Sequence, residues 1–502
     1  MHTYKSGCIF NTLSDIKDRH IVVMGLGLNG GGEACVRFFL KHGAYVLATD
    51  MKTAEQLKPT IDRLASDPEL DTSRLTYRLG EHCIEDFKNA DCVIKNPGVK
   101  IEGNKYLSAS KNIETDISIF LHFTKAPVIA VTGSKGKSST VSAIHYGLNS
   151  AGYTAFLGGN ITVSPLTFLE KTTEKTPVVL ELSSWQLADL RGRGSLKPKI
   201  SIITKIVPDH QNWYHAMEPY VADKRLIYAG QSASDYSIFD MEGDEPGTGP
   251  EQGGTWGDLF AGESKARVLR YALSPLPAGT YGVFQTREAD GSFAGKAILP
   301  GMNEPETIMK ELIVPGEHMK INALNAGLVL RLMDVPAEKC VQIMSKWPGI
   351  DHRLQFFHEY KGVRFYNDSC ATVPEAAAAA SQSFAKPVYL MTGGTDKGLE
   401  LDPLINTLTG KVQGAVPVKS LYLLNGTATD KLLPALNQTG TEYKGPFNSL
   451  EEMLSALKNE IDSSSEKDGI AVFSPGATSF GMFANEFDRG NKYMDGVRKL
   501  FS

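Results

Sequence analysis

Thirteen residues, Val128-Ile-Ala-Val-Thr-Gly133-Ser134-Lys135-Gly136-Lys137-Ser138-Ser139-Thr140, set the strongest limit on what this chain of 502 residues can fold into. The apolar β-branched run reads as a buried strand, the glycines as a turn, and the residues beyond them as a helix. That order aims the backbone N–H groups of Gly133 to Ser139 at phosphate oxygens beside a helix N-terminus. Lys137 is then placed to neutralise the β/γ-phosphates of ATP, and Ser138 to offer its hydroxyl to Mg²⁺. The generic G-x-x-x-x-G-K-[ST] pattern fails at its first position, where Val131 stands, leaving the shorter T-G-x-x-G-K-S. A tight turn with incidental lysines is the alternative.

Strand-like runs alternate with helical patterns elsewhere too, at His20–Met24, 44–49, Cys92–Lys95, 178–182 and 200–206. This alternation predicts an α/β protein of parallel sheets with crossover helices. The length fits about three domains, with boundaries read at 1–126, 127–345 and 346–502 from the interruption Thr124-Lys-Ala-Pro and from Trp347-Pro-Gly349. Residues 240–258 and 263–303 read as a variable surface insertion. The third unit is expected to open with 355–366, succeeded by a helix over 374–383 and a strand over 388–392. A net charge of 52 − 57 = −5 argues against nonspecific nucleic-acid binding. Six cysteines without a C-x-x-C pair argue against disulfides and a zinc site and fit a reducing cytoplasm. No run reaches the ~18 apolar residues of a membrane span. A cytoplasmic monomer is the expectation.

Further groups stand at predicted strand ends. Gly25-Leu-Gly27-Leu28-Asn29-Gly30, with Asp50 closing the second strand, has the form of a dinucleotide fingerprint, or of a plain tight turn. Glu181, after Val178-Val-Leu, is placed to hold Mg²⁺ or else to cap the next helix. His210 comes after another such strand and reads as a second metal ligand. Lys224 on its own reads as a solvated helix lysine. In the third unit Asp351-His-Arg353, Tyr366-Asn-Asp368-Ser-Cys370-Ala-Thr372 and Gly393-Gly-Thr-Asp-Lys397 suit a domain that contacts a nucleotide and an anionic substrate.

The order of these motifs resembles the Mur ligases of peptidoglycan synthesis over nearly the whole chain. The elements that carry the resemblance are the glycine loop at 25–30, Asn96-Pro-Gly98, Thr132-Gly-Ser-Lys-Gly-Lys-Ser138, Gly158-Gly-Asn160, Leu180-Glu-Leu-Ser-Ser-Trp-Gln-Leu187, Asp209-His210, Pro315-Gly-Glu-His318 with Asn322, His352-Arg353, Asn367-Asp-Ser369, Gly393-Gly-Thr-Asp-Lys397, and Ser474-Pro-Gly-Ala-Thr-Ser479 with Arg489-Gly490. The resemblance implies an N-terminal Rossmann-like domain for the UDP group, a central ATPase and a C-terminal Rossmann-like domain. It implies UDP-substrate contacts at Leu28, Asn29, Asp50, Lys52, Asn96, Gly98 and Asn160, and nucleotide contacts at Asn322, Arg353 and Asp368. It makes Lys137, Glu181, His210 and Lys224 catalytic, with Ser138, Glu181, His210 and a carbamylated Lys224 around Mg²⁺, or Mn²⁺ in its place. Thr372, Lys397 and Ser479 become the amino-acid contacts. The implied reaction is ATP-driven addition of D-glutamate to UDP-N-acetylmuramoyl-L-alanine through an acyl phosphate, with hinges near Ala126 and Trp347. Another amino acid, or a nucleotide-binding regulator without catalysis, are the alternatives.

Three positions depart from the family pattern. Cys370 stands where a lysine is usual, Gly481 where an aspartate is usual, and Met319 where an asparagine commonly comes after the histidine. All lie near the expected ATP or amino-acid contacts.

Overall fold

The computed structural model describes residues 8–161, 163–465 and 467–502, whose strands form three sheets. The first consists of β1 (His20–Met24), β2 (Tyr45–Asp50), β3 (Leu75–Leu79), β4 (Cys92–Lys95) and β5 (Ile113–Glu114), all parallel in the order β3-β2-β1-β4-β5. Strand order reverses between β1 and β4. The crevice beyond their carboxyl ends is therefore the switch point at which such sheets take a ligand.

The second sheet contains β6 (Val128–Thr132), β7 (Phe156–Gly159), β8 (Val178–Glu181), β9 (Ile200–Ile203), β10 (Tyr236–Asp240), β11 (Arg267–Ala272), β12 (Gly282–Arg287), β13 (Phe293–Ile298) and β14 (Glu306–Met309). Its order is β14-β13-β12-β11-β10-β9-β6-β8-β7. Every residue of β6, β8 and β9 is buried, which explains their unbroken apolar runs. Val131 pairs with Glu181 on one side and Ile202 on the other, in parallel register. The phosphate loop, Glu181 and the segment leading to His210 thus leave the sheet at one edge. The expected surface insertion is corrected here: 263–303 contributes β11, β12 and β13, which widen this sheet, with turns between them, and the Gly- and Pro-rich part of 240–258 is loop. The predicted strand over 200–206 ends at Ile203.

The third sheet is built from β15 (Gln355–Tyr360), β16 (Val363–Asn367), β17 (Tyr389–Gly393), β18 (Ser420–Leu424), β19 (Lys444–Phe447) and β20 (Gly469–Phe473), in the order β15-β16-β20-β17-β18-β19. The run 355–366 is an antiparallel hairpin. Its two-residue turn uses Lys361 and Gly362 at φ 49° and 80°, the left-handed pair such turns need.

The chain divides into two compact units, one reaching Lys310 and including Ile321–Met344, the other formed by Glu311–Lys320 and Ser345–Ser502. The first two sheets share the first unit and a continuous apolar core that includes Val23, Phe39, Ile119, Ala126, Val128 and Leu180. At Ala126, an expected hinge, the chain runs through this core. Two buried ion pairs also join the sheets: Lys95 Nζ to Asp189 Oδ2 at 2.8 Å and Arg193 Nη1 to Glu114 Oε2 at 2.7 Å. Truncating one partner of such a pair leaves a buried charge and costs about 3–5 kcal/mol. Among the described residues, no helix is long and apolar enough to cross a membrane.

Candidate active site

β6 delivers Gly133 at φ 146° and Gly136 at φ 91°, and the helix Lys137–Ala151 starts immediately after. Neither position has room for a side chain. A Cβ on Gly133 would lie 1.9 Å from Thr204 Oγ1, and one on Gly136 would lie 2.6 Å from Asn322 Oδ1. Asn322, 6% exposed on the helix Glu317–Leu332, is thus brought onto the loop. The Ser134 and Lys135 N–H groups already donate to Lys205 O, and the Ser134 hydroxyl bonds Val207 O at 2.8 Å and Tyr220 Oη at 2.9 Å. These bonds give Ser134 a part in shaping the loop. Ser138 and Ser139 stand half-buried in the helix's first turn, while the Lys135 side chain is exposed.

Two lysines converge on one carbonyl. Lys137 Nζ donates to Gly133 O at 2.9 Å and to Ser134 O at 3.0 Å, and Lys224 Nζ donates to Gly133 O at 2.8 Å. Lys224 is 1% exposed on the helix Met217–Lys224, so it is not the solvated lysine its helical setting suggested. Burial, and then repulsion from Lys137, hold its pKa well below the usual lysine range. Burial lowers that of Lys137 as well. A neutral amine in a dry site is the form that reacts with CO₂.

Glu181 ends β8 and is 1% exposed. Its Oε1 accepts from Asn160 Nδ2 at 3.0 Å, while its Oε2 is buried with no partner. An unpaired buried carboxylate oxygen is costly without a cation, and Mg²⁺ is held by one or two carboxylates together with phosphate and water oxygens. The donor set fits that ion. Among the described residues no cluster of three or more His, Cys, Asp or Glu side chains could hold a metal. His210 sits at φ 52°, half-exposed, with its ring 4.8 Å from that of Trp185.

At the switch point of the first sheet, Gly25 and Asn96 lie so close that a Cβ on Gly25 would be 2.9 Å from Asn96 Cβ. Asp50 is buried, and its two oxygens accept from the N–H groups of Gly27 and Lys52 at 2.9 Å each. Its carboxylate therefore shapes the glycine loop. Leu28, Asn29 and Lys52 are exposed on this rim. Asn96 Oδ1 accepts from Gly98 N–H at 3.0 Å, and Lys95 Nζ binds the carbonyls of Asn96 and Val99, fixing this turn.

In the second unit, Asp368 Oδ2 accepts from Ser474 Oγ at 2.6 Å and Oδ1 from Leu354 N–H at 3.1 Å. Burial nevertheless pushes its pKa up to about 6. Arg353 is exposed. Lys397 Nζ lies 3.4 Å from Thr372 Oγ1, so two of the three amino-acid candidates meet. Ser479 is buried, on a segment tied to this loop through Thr478 N–H and Thr395 O. Arg489, 1% exposed, clamps both segments by donating to Ala477 O at 2.9 Å and Ser369 O at 2.7 Å. The motif Arg489-Gly490 is visible in the sequence, but this bridging is not. Tyr220 carries no motif that singles it out. Its place four residues before Lys224 puts both on one helix face, and Lys224 Nζ lies 4.5 Å from its ring centre.

Known proteins share this arrangement of elements. The family model of the Mur ligase middle domain matches residues 131–247, and that of the Mur ligase MurD-like N-terminal domain matches 19–118. The UDP-N-acetylmuramoylalanine–D-glutamate ligase of Treponema pallidum (strain Nichols) is 39% identical over 97% of this chain and 98% of that protein. The enzymes of the same name from Borreliella burgdorferi (strain ZS7) and Roseiflexus sp. (strain RS-1) are 36% and 32% identical, over 97% and 95% of this chain and 99% and 97% of their own lengths. Among solved structures, MurF from Acinetobacter baumannii aligns with TM-score 0.53 at 16% identity, over 84% of this chain and 93% of that one. UDP-N-acetylmuramate–alanine ligase MurC from Thermotoga maritima aligns with TM-score 0.51 at 16% identity, over 96% and 99%. These two establish a shared fold.

Proposed function

The chain belongs to the Mur ligase family, and from this premise we propose that it is the ATP-dependent ligase that joins D-glutamate to UDP-N-acetylmuramoyl-L-alanine in peptidoglycan synthesis. The observation that carries the chemistry is the meeting of Lys137 and Lys224 on Gly133 O, in the field of a buried Glu181 with an unpaired oxygen. Such a site handles transferred phosphoryl groups, which need fixed positive charge and N–H donors more than covalent help.

In the proposed reaction the L-alanine carboxylate attacks the γ-phosphorus, the bond to the β,γ-bridging oxygen breaks, and ADP leaves. The amine of D-glutamate then attacks the acyl carbon, loses a proton, and phosphate departs from the tetrahedral intermediate. Lys137 and the N–H groups at the start of the helix Lys137–Ala151 stabilise charge on the transferred group, since those of Ser134 and Lys135 are taken by Lys205 O. Asn322 holds the nucleotide side of the loop, and Asn160 both orients Glu181 and faces the UDP substrate. Glu181, His210, Ser138 and a carbamylated Lys224 would hold Mg²⁺, which when bound neutralises phosphate charge. Carbamylation turns a buried amine that is already reluctant to protonate into an anionic oxygen donor. The first sheet's switch point, with Leu28, Asn29, Asp50, Lys52, Asn96 and Gly98, takes the UDP handle. Arg353 and Asp368 serve the nucleotide, and Thr372, Lys397 and Ser479 the carboxylates of D-glutamate. The layout is a UDP domain over 1–126, an ATPase domain over 127–345 and a C-terminal domain over 346–502, in a cytoplasmic monomer.

The test is phosphate release from ATP with UDP-N-acetylmuramoyl-L-alanine and a panel of amino acids. Turnover that requires D-glutamate is expected. Turnover only with a different amino acid, or none with any, overturns the assignment.

A further inference from the structure

Glu181, His210 and Lys224 come to the phosphoryl-transfer centre from separate stretches of chain, and one buried carboxylate outside that set ties the three stretches together. Asp223, immediately before Lys224, is paired through Oδ1 with Arg191 Nη2, and its Oδ2 accepts from Tyr214 Oη at 2.8 Å. Arg191 stands three residues beyond the helix Ser184–Ala188, which opens directly after Glu181-Leu-Ser183. Tyr214 closes the four-residue helix Gln211–Tyr214, whose N-cap is His210. Neither Tyr214, Asp223 nor Arg191 belongs to a motif visible in the sequence.

The His210 stretch is the one that needs an anchor. His210 and His215, at the two ends of the short helix, have φ 52° and 64°. Left-handed backbone is costly for a residue with a Cβ, and it persists only where the surroundings over-determine it. A single helical turn adds little support of its own, because its first hydrogen bonds barely offset the ordering they require. Side chains hold it instead: Gln211 Nε2 donates to Asp209 O at 2.9 Å, the Trp213 ring lies 5.0 Å from that of Trp185, and Tyr214 reaches Asp223. The Tyr214 bond ends on the helix that carries Lys224, so it fixes the His210 turn relative to that lysine. The His210 ring lies 6.3 Å from that of Tyr220, whose hydroxyl bonds Ser134 of the phosphate loop.

We propose that Tyr214 is a positioning residue for the ligase reaction, holding His210 at the phosphoryl-transfer centre through its bond to Asp223. The inference rests on the reading of that centre given under the proposed function. Phenylalanine at 214 keeps the ring and removes the bond, so Asp223 Oδ2 loses this donor while Arg191 keeps Oδ1. The turn is then free to relax from its left-handed ends, and His210 leaves the place from which it would hold the metal ion. Removing a group that orients a metal ligand from outside the coordination shell costs about 10–100-fold in metal affinity or activity.

The experiment reads Mn²⁺ binding to the full-length enzyme in the presence of ADP by electron paramagnetic resonance, and turnover by phosphate release. Tyr214→Phe is expected to raise the Mn²⁺ Kd and to lower kcat, each about tenfold, with KM for UDP-N-acetylmuramoyl-L-alanine and D-glutamate within about twofold. Asp223→Asn should move both readouts in the same direction. His210→Ala weakens Mn²⁺ binding by itself, and adding Tyr214→Phe to it should change the Kd by less than about twofold, because substitutions that act through one group do not add. A further weakening of about tenfold in that double variant, an unchanged Mn²⁺ Kd in Tyr214→Phe, or a raised KM for the UDP substrate as its sole effect overturns the positioning role. The Mn²⁺ measurements need no turnover. Absence of D-glutamate-dependent phosphate release in wild type therefore overturns the ligase reading and leaves the binding cycle readable, so the two failures are distinct.

Discussion

Replacing Asp368 with asparagine isolates what the fold loses by keeping a carboxylate at this place. Asp368 is 8% exposed, and burial raises its pKa from 3.8 to about 6 in spite of hydrogen bonds from Ser474 and Leu354 and the nearby Arg353. A carboxyl with a raised folded pKa binds its proton more tightly folded than unfolded. Folding stability therefore falls as pH climbs from about 4 to about 6, then levels off. A gap of about two pKa units corresponds to about 3 kcal/mol. Asparagine keeps the shape: its Oδ1 can accept from Leu354 N–H, and its amide can donate to Ser474 Oγ. Asp368→Asn is thus expected to be more stable than the parent by up to about 3 kcal/mol above pH ~7, with the gap closing by pH ~4. Activity should be lost if the carboxylate is the nucleotide contact proposed. The assay is urea unfolding across that pH range, read by hydrogen exchange in peptides from β16 and β20. A gap that does not change with pH, or a parent that is the more stable at high pH, refutes burial as the cause.

Gly136→Ala forces φ 91° on a residue with a Cβ and drives it against Asn322; a strain of about 1–3 kcal/mol is expected, seen as a raised KM for ATP. Lys224→Arg keeps an N–H donor near Gly133 O but cannot form a stable carbamate, so kcat should fall by about 10²–10³ while circular dichroism is unchanged; near-normal turnover would end the carbamate proposal. Arg489→Lys gives up the two-pronged clamp on Ala477 O and Ser369 O. A loss of about 1.5–3 kcal/mol per charged hydrogen bond should appear as faster exchange in 369–372 and 477–479, with KM for D-glutamate rising more than KM for ATP.

The parts of the fold legible in the sequence are those under a single strong constraint. β6, β8 and β9 are buried on both faces, so their apolar runs admit little else, and the glycines at 133 and 136 occupy backbone positions that no other residue fits. The edge of the same sheet is not legible, because β11 to β13 carry polar residues and are separated by Gly- and Pro-rich turns that resemble loop composition. Lys224 shows the limit for the site. Its neighbours in sequence are those of an ordinary helix, and its burial arises from the glycine loop 91 residues away. Arg489 is similar, since its partners lie on two segments that only the third sheet brings together.

The departures from the family pattern acquire physical content from the backbone. Gly481 sits at φ 100°, with Thr395 Oγ1 donating to the preceding carbonyl of Phe480 at 2.5 Å. An aspartate here would adopt a conformation that costs of order 1 kcal/mol or more, and an added Cβ would meet Thr395 Oγ1 at 3.5 Å. The turn at Gly481 presents Phe480 at 67% exposure. At position 370 the change is electrostatic. A half-buried thiol, its pKa raised by burial, stands near Arg353, Glu486 and Asp368 and supplies none of the positive charge a lysine would bring. The raised pKa of Asp368 is the consequence expected of a buried carboxylate without that neighbour, and Cys370→Lys should lower it by about 1–3 units, as an adjacent cation does. The pH-dependent stability gap between parent and Asp368→Asn should then shrink in the lysine background. If the gap persists in full, the missing cation is not what sets the protonation of this site.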